Sequence, residues 1–304
     1  MGSRDWQPDT EALARVQAAL RAMGPRYQQD IAGYRQQVKD LYAPLLRARS
    51  SEGIAITRDH AYGSHARQVL DVFRPHGVTN ADVVVFVHGG AFVRGAKNGP
   101  EGIYDNVLRW FARQGFVGVN VEYRLAPEAV YPEGARDVAA AMEWVHGHIA
   151  QHGGNPGRVL LIGHSAGGTH VAGYAVDPAL SDARQRAAAL VLVSARLRAD
   201  QSDRNPNAAA VRTYFGNELL EYDQRSPVTH AERCPVPVML AVAEYDNPLL
   251  DVYGLEFAQR LAAAHGKAPR FVQCRGHNHM SILAHFDAGE ETLGREILDF
   301  WQGL

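Results

Sequence analysis

The chain has 304 residues, of which 46% are hydrophobic, so it can bury a large core within a single domain. Its formal net charge of −2 arises from 31 Lys and Arg against 33 Asp and Glu in dispersed positions, which argues against nucleic acid as a partner. No stretch is apolar for long enough to span a bilayer, and residues 1–6 lack the apolar segment of a secretory signal. We therefore expect a soluble, cytoplasmic protein. The sequence leaves its oligomeric state open, a dimer included.

The first fifty residues show helical spacing of apolar side chains, interrupted at Gly24-Pro25. The apolar positions are Leu13, Val16, Ala19 and Leu20, then Ile31, Tyr34, Val38, Leu41 and Tyr42. This spacing predicts two helices, which we interpret as a helical cap segment over residues 1–50. From Ile54 to Phe73 the pattern changes to alternation around Tyr62-Gly63-Ser64, which predicts a hairpin leading into a sheet.

A regular alternation of strands and helices follows. Short apolar segments predict strands at Val83–Val87, Val117–Glu122, Val159–Ile162, Leu190–Val193, Val238–Ala243 and Phe271–Gln273. Amphipathic segments predict helices at Tyr104–Arg113, Gly134–Ile149, Leu255–Ala264 and Glu291–Trp301. The alternation predicts an α/β fold with a mostly parallel sheet, helices on both faces, and ligands beyond the carboxyl ends of the strands. Residues 196–233 break the rhythm, and we interpret them as a cap insertion.

The pentapeptide Gly163-His164-Ser165-Ala166-Gly167 follows an apolar strand and precedes small residues that can continue as a helix. A serine with glycine two places to either side is typical of a nucleophile elbow, a tight turn that exposes the hydroxyl group. Ala166 would present its backbone N–H at the start of the helix, where the helix dipole favours negative charge. The segment therefore predicts a nucleophilic serine and half of an oxyanion hole.

A nucleophilic serine needs a base, and the loop after the last predicted strand supplies histidines that could reach it from above the sheet. We favour His279 as the base. His277 is the main rival, although it lies closer to the strand and is expected to point elsewhere. His285 is expected within the helix that follows.

The histidine in turn needs a carboxylate to orient its ring. Asp246 lies just past the penultimate predicted strand, and Ser165, Asp246 and His279 then occur in the chain order of an α/β-hydrolase. Glu244 and Asp251 are weaker candidates, because the first is expected in the strand and the second at the start of a helix.

The second half of an oxyanion hole is predicted in His88-Gly89-Gly90-Ala91-Phe92, directly after the strand at Val83–Val87. Consecutive glycines allow main-chain N–H groups to turn toward a developing negative charge. Gly89 and Gly90 would then act together with Ala166.

Four motifs carry a family resemblance: His88-Gly89-Gly90-Ala91-Phe92, Glu122-Tyr123-Arg124-Leu125-Ala126-Pro127-Glu128, Gly163-His164-Ser165-Ala166-Gly167-Gly168 and Tyr245-Asp246-Asn247-Pro248-Leu249. With them, the chain from about residue 65 onward resembles the hormone-sensitive-lipase-like carboxylesterases of the α/β-hydrolase fold. The resemblance implies hydrolysis of small-molecule esters without a cofactor. It also implies Ser165 as nucleophile, Asp246 and His279 as its partners, and backbone N–H groups of Gly89, Gly90 and Ala166 as oxyanion donors. The stretch from Tyr123 to Pro127 is structural in that family.

The chain departs from the family pattern at three places. Ala91 replaces the last glycine of the usual HGGG run, Asn247 is inserted before Pro248, and His277-Asn278-His279-Met280 lacks the common His-Gly-Phe. The contexts of Ala91 and His279 resemble an arylformamidase-like and small feruloyl-esterase-like branch. An arylformamidase or amidase is therefore an alternative to a carboxylesterase for short acyl esters. A non-catalytic ligand receptor on the same fold is a second alternative.

Further residues are candidates for substrate binding. Phe92, Tyr214 and Phe215 could line an acyl or alcohol pocket, or pack within the core or cap. Arg196 and Arg198 follow a strand at the edge where substrate should bind. They could recognise an anionic group, or form surface salt bridges with Asp200 or Asp203.

Neither a metal site nor a disulfide is predicted. The candidate metal ligands are His146, His148 and His152, together with His277 and His279. Positions two apart do not share a helix face, and no third ligand has suitable spacing. Cys234 and Cys274 are expected at opposite ends of the sheet, too far apart for a disulfide.

Overall fold

The computed structural model describes residues 9–304, and the part of the predicted cap segment before Asp9 lies outside the described residues. Two helices open this range, α1 over Thr10–Met23 and α2 over Ile31–Arg47, with a 3₁₀ segment over Gly24–Gln29 between them. Aspartates cap both helices, Asp9 at α1 and Asp30 at α2, and each carboxylate accepts a hydrogen bond from a backbone N–H three residues later. The two predicted helices and their interruption are confirmed.

Within residues 9–304, a sheet of eight strands forms the centre of the protein. The strands are β1 Ile54–Ala61, β2 Val69–Pro75, β3 Ala81–Val87, β4 Val117–Val121, β5 Gly154–His164, β6 Ala189–Val193, β7 Val238–Tyr245 and β8 Arg270–Asn278. Their order is β1-β2-β4-β3-β5-β6-β7-β8, and β2 is antiparallel to both β1 and β4 whereas all other neighbours are parallel. The predicted hairpin, the six predicted strands and the mostly parallel α/β sheet are confirmed.

Helices cover both faces of this sheet. In the described part of the chain they are α3 Asp105–Arg113, α4 Glu133–His148, α5 Ala166–Val176, α6 Ala208–Phe215, α7 Leu250–His265, α8 Ser281–Ala284 and α9 Thr292–Gln302, with 3₁₀ segments at Ile149–His152, Pro178–Leu180, Leu219–Glu221 and Pro227–Arg233. Successive residues of β3 point to opposite faces. Val85 belongs to the core that includes α4, α5 and α7, and Phe86 to the core that includes α3 and α9.

Two elements near the predicted site are longer than their sequence patterns indicate. Strand β8 continues past Gln273 to Asn278, because Tyr245 of β7 still pairs with Asn278 after a register shift. Helix α7 begins at Leu250, directly after Leu249 takes a left-handed conformation with φ of 69°. The turn that contains Asp246 is therefore short and lies between two regular elements.

Helices α1 and α2 pack on the segment that follows β8. Val16 of α1 and Tyr42 of α2 share a buried cluster with Met280 and Ala284. Because this segment leaves the carboxyl end of β8, the packing places both helices at the edge of the sheet where parallel strands end. That edge is where α/β sheets bind their ligands.

Candidate active site

Ser165 occupies a strained turn between β5 and α5. Its φ is +55°, a region that costs a non-glycine residue about 1–3 kcal/mol. The two flanking glycines are required by packing: a Cβ on Gly163 would lie 2.6 Å from the carbonyl oxygen of Gly167, and one on Gly167 would lie 2.3 Å from that of Val87. The turn brings Ala166 to the first position of α5 and the Ser165 hydroxyl group within reach of His279.

His279 lies between Ser165 and Asp246. Its Nε2 is 3.1 Å from the Oγ of Ser165, and its Nδ1 is 2.7 Å from the Oδ1 of Asp246. An ionised carboxylate only accepts hydrogen bonds, so Nδ1 carries the proton and Nε2 is left to accept from the serine hydroxyl group. The three residues thus form a continuous chain of hydrogen bonds from carboxylate to nucleophile.

The Asp246 carboxylate is held by four hydrogen bonds. Besides His279, the Oγ of Ser194 donates to its Oδ2 at 2.5 Å, and the backbone N–H groups of Ala243 and Asn247 donate at 3.1 and 2.8 Å. Burial acts to raise the pKa of Asp246, but the charge of His279 and these hydrogen bonds keep the pKa below its ordinary value. Asp246 therefore stays charged although it is buried. Sequence reasoning missed Ser194, which lies 52 residues away along the chain.

The rival histidines have other partners. His277 is buried, with its Nε2 2.8 Å from the Oε1 of Glu290 and its Nδ1 3.1 Å from the Oγ of Ser281. His285 follows the last residue of α8, and its Nδ1 donates to the carbonyl oxygen of Ser281. The structure brings neither into hydrogen-bond contact with Ser165.

The rival carboxylates also lie apart from His279. Glu244 is in β7, and its Oε2 accepts a hydrogen bond from the N–H of Gly276 at 2.7 Å. Asp251 is in the first turn of α7, where its negative charge interacts favourably with the positive end of the helix dipole. Asp251 is not the N-cap residue of α7. The helix begins at Leu250, so Leu249 is at the N-cap position.

The loop after β3 packs against the elbow and carries a run of unusual backbone angles. Gly90, Ala91 and Phe92 have φ of +151°, +50° and +71°. A Cβ on Gly90 would lie 1.7 Å from the carbonyl oxygen of Arg94, so only glycine fits there. A Cβ on Gly89 would lie 3.0 Å from the Cβ of Ser165. The loop therefore places Gly89 and Gly90 next to Ser165, as a second source of N–H groups beside Ala166.

Buried hydrogen bonds fix this loop. The Nε2 of His88 is 2.9 Å from the Oε1 of Glu122, and the Oε2 of Glu122 accepts from the N–H of Lys97 at 2.9 Å. Burial acts to raise the pKa of Glu122, but the contact with His88 and the other donors lower it below its ordinary value. The hydroxyl group of Tyr123 also donates to the carbonyl oxygen of His88. The structural role expected for the Tyr123 segment agrees with these contacts.

The pocket beside Ser165 is lined by residues that are distant in sequence. Tyr27, Ile31 and Arg35 come from the N-terminal helices, and Asn207 comes from the insertion. Further lining residues that sequence reasoning missed are Ala32, Arg94, Tyr104, Pro206 and Met280. No local motif marks these positions, because their proximity to Ser165 depends on how the helices pack on the sheet.

The sequence is similar to a known family model and to curated proteins. The family model BD-FAE matches residues 70–186. The chain is 31% identical over 250 residues to para-nitrobenzyl esterase of Bacillus subtilis, an alignment that covers 76% of this chain and 50% of the relative. It is also 44% identical over 91 residues to carboxylesterase NlhH of Mycobacterium tuberculosis, covering 29% of this chain and 27% of the relative. The chain thus spans half or less of the length of these curated relatives.

Solved structures share the fold over almost the whole chain. A structure described as a bacterial heroin esterase superposes with a TM-score of 0.69 at 24% identity, covering 91% of this chain and 93% of that chain. A hyperthermophilic esterase from the archaeon Pyrobaculum calidifontis superposes with a TM-score of 0.69 at 21% identity, covering 94% and 96%. The chain therefore has the α/β-hydrolase fold. The resemblance and the fold class inferred from the sequence are confirmed.

Within this fold, the three aromatic residues considered for the pocket pack on one another. The rings of Phe92 and Tyr214 stack with their centroids 4.6 Å apart, and Phe215 meets Phe92 edge-on at 5.4 Å. All three are buried, and none lines the pocket beside Ser165. Of the two interpretations drawn from the sequence, packing under the insertion is the one that the structure supports.

The two arginines considered for anion recognition are part of ion pairs away from the pocket. Arg198 binds Glu256 at 2.5 Å and Asp223 at 2.7 Å. Arg196 is buried with Asp200 4.0 Å away, and burial lowers its pKa. Neither lines the pocket beside Ser165. Of the two interpretations drawn from the sequence, these contacts support ion pairing: Arg198 pairs with Glu256 and Asp223, and Arg196 lies near Asp200 without a hydrogen bond between Nη1 and that carboxylate.

The remaining candidates concern metals, thiols and membranes. Within residues 9–304 no group of three or more His, Cys, Asp or Glu side chains could hold a metal ion. His148 stacks on Trp144, and His146 lies beside Arg186. Cys234 and Cys274 are free and buried. In the same range, no helix has the length and apolar character that crossing a membrane requires.

Proposed function

We propose that this chain is a serine carboxylesterase that hydrolyses small, short-acyl esters through an acyl-enzyme intermediate. One observation carries the proposal. The hydrogen-bonded series from Asp246 through His279 to Ser165 ends at a strained serine, which lies next to the glycine loop after β3. The named relatives and structural neighbours are esterases, which supports the same reaction class.

In the proposed reaction, the Oγ of Ser165 attacks the ester carbonyl carbon while the Nε2 of His279 takes its proton. Asp246 stabilises the imidazolium that forms and holds the ring in place. N–H groups of Gly89, Gly90 and Ala166 stabilise the negative oxygen of the tetrahedral intermediate. His279 then donates its proton to the leaving alcohol, and water, activated by the same histidine, releases the acid. Side chains, backbone groups and water suffice for each step, so the proposed reaction requires no cofactor.

Short acyl chains are expected to be cleaved faster than long ones. The pocket beside Ser165 holds about 180 Å³, below the roughly 300–1,000 Å³ typical of sites for drug-sized ligands. The N-terminal helices and the insertion, which we propose act as a cap, both contribute to its lining. We expect kcat/KM for p-nitrophenyl acetate or butyrate to exceed that for the palmitate by about 100-fold or more. Faster hydrolysis of emulsified long-chain lipid than of these soluble esters contradicts the proposed pocket.

Labelling with a fluorophosphonate probe tests the reaction class directly. The probe phosphonylates a serine only when a base activates it, so we expect one modified site at Ser165, identified by mass spectrometry of the digested protein. Heat-unfolded protein is the control and should remain unlabelled. A folded protein that resists the probe and does not hydrolyse p-nitrophenyl acetate would instead be a ligand receptor. Greater turnover of N-formylkynurenine than of p-nitrophenyl acetate would identify a formamidase.

A further inference from the structure

Two arginines line the pocket beside Ser165 without an acidic partner. Arg35 comes from α2 and Arg94 from the loop after β3, and both also line the adjoining recess. Among the described residues that line the Ser165 pocket, none is Asp or Glu. No carboxylate of the described part of the chain lies within 4.0 Å of either guanidinium. Elsewhere carboxylates pair with arginines such as Arg58, Arg113, Arg124 and Arg198.

Arg94 is held in place by neutral contacts. Its backbone N–H donates to the carbonyl oxygen of Gly90 at 3.1 Å, so it closes the same turn that presents the predicted oxyanion donors. One guanidinium nitrogen donates to the Oδ1 of Asn207 at 2.9 Å, which leaves the positive charge uncompensated and the other N–H groups free to bind a ligand. The position of Arg94 relative to Ser165 is therefore fixed by the loop.

Arg35 reaches the same space from a different element. It lies one turn before Val38 on α2, and Val38 and Tyr42 anchor that helix in a buried cluster. The acidic residue that lines the adjoining recess, Glu101, is 3.5 Å from Lys39. Burial lowers the pKa of Arg94, and the positive charge of Arg35 lowers it further. Placing two like charges together is unfavourable unless an anion binds between or beside them.

We propose that Arg35 and Arg94 bind a carboxylate of the substrate, so that the preferred substrates are esters carrying a free carboxylate a few bonds from the scissile bond. The proposal rests on the esterase function proposed above and narrows its substrate class. A guanidinium presents parallel N–H groups that match a carboxylate, and charge-assisted hydrogen bonds of this type are about twice as strong as neutral ones. A methyl ester at the same position lacks the negative charge and therefore loses this interaction.

Matched substrate pairs test the proposal. In one pair the carboxylate is on the alcohol side, 4-acetoxybenzoate against methyl 4-acetoxybenzoate. In the other it is on the acyl side, monoethyl succinate against diethyl succinate. We expect the acid to be preferred in kcat/KM by about tenfold or more in at least one pair, with the preference reduced by added salt. Equal or lower kcat/KM for both acids overturns the proposal while leaving the esterase function intact.

Arginine variants distinguish binding of the substrate carboxylate from structural support of the loop. Arg35→Gln and Arg94→Gln should each raise KM for the preferred acid about tenfold more than KM for its neutral ester. Arg47→Gln is the matched control, because Arg47 is an exposed residue of the same helix that does not line the pocket. If both pocket variants lose activity equally on the acid and on the neutral ester, the arginines only stabilise the loop. That result would overturn the proposal.

Binding to Ser165→Ala protein keeps this test independent of turnover. We expect that variant to bind 4-acetoxybenzoate about tenfold more tightly than its methyl ester, measured by calorimetry, and to lose this difference when Arg94→Gln is added. If p-nitrophenyl acetate is not hydrolysed by the wild type, the proposed function fails, yet the binding difference still decides for or against the carboxylate site. Equal binding of acid and methyl ester overturns the inference alone.

Discussion

Replacing Ser165 with alanine is expected to reduce kcat for p-nitrophenyl acetate by about 10⁴-fold or more, because the atom that attacks the carbonyl carbon is removed. The oxyanion donors and the pocket remain, so substrate binding should change little. Alanine meets the same strained φ of +55° that serine does, and little packing is lost. The free energy of unfolding should therefore stay within about 1 kcal/mol of the wild-type value.

Ser202→Ala is the matched control for this variant. Ser202 is an exposed serine of the insertion, so its replacement should leave both activity and stability unchanged. Activity is measured by release of p-nitrophenol, and folding by circular dichroism during thermal unfolding. If the Ser165→Ala protein keeps most of its activity, the nucleophile lies elsewhere and the elbow assignment is wrong.

The second large effect is expected for His279. His279→Ala should lower kcat by about 10⁴-fold, because Ser165 loses the base whose Nε2 lies 3.1 Å from its Oγ. His277→Ala should keep kcat within about tenfold, since the His277 ring contacts Glu290 and Ser281 rather than Ser165. The two residues lie two positions apart, which makes each the other's control.

His277→Ala is expected to lower stability rather than activity. Burial acts to raise the pKa of Glu290, but its hydrogen bond with His277 is the main contribution that lowers the pKa to about 2. Removing His277 takes away the shortest of the hydrogen bonds to that carboxylate, which should cost about 1–3 kcal/mol in chemical denaturation. His277→Ala with the larger loss of kcat in folded protein would transfer the base role to His277.

Local features of the sequence were sufficient to predict the elbow and the framework of the sheet. Strands such as β3 and β6 consist almost wholly of buried apolar residues, and this pattern does not depend on distant contacts. The spacing of Gly163 and Gly167 around Ser165 indicates a tight elbow, and Gly163 is indeed required by atoms of the same turn, whereas Gly167 is required by the end of β3. Periodicity likewise identified the break at Gly24-Pro25.

The end of β8 shows where sequence reasoning becomes less accurate. The apolar pattern predicts a strand that stops at Gln273, but pairing with β7 extends it to Asn278. The register of that extension places His277 toward Glu290 and lets His279, the residue after the strand, meet Ser165. Hydrogen bonding to a neighbouring strand is a long-range interaction, and apolar periodicity does not record it.

By itself, the sequence determined the α/β class, the strand and helix order, and the motifs that supply a serine, a carboxylate, a histidine and a glycine-rich loop. Only the tertiary structure decided which polar side chains face the pocket. In the folded protein, Arg196 and Arg198 lie beside carboxylates of the chain. Arg35 and Arg94 line the pocket instead. The physical reason is that strand and turn formation depend on neighbouring residues. A pocket is assembled from elements far apart in sequence, so its lining depends on how helices pack on the sheet.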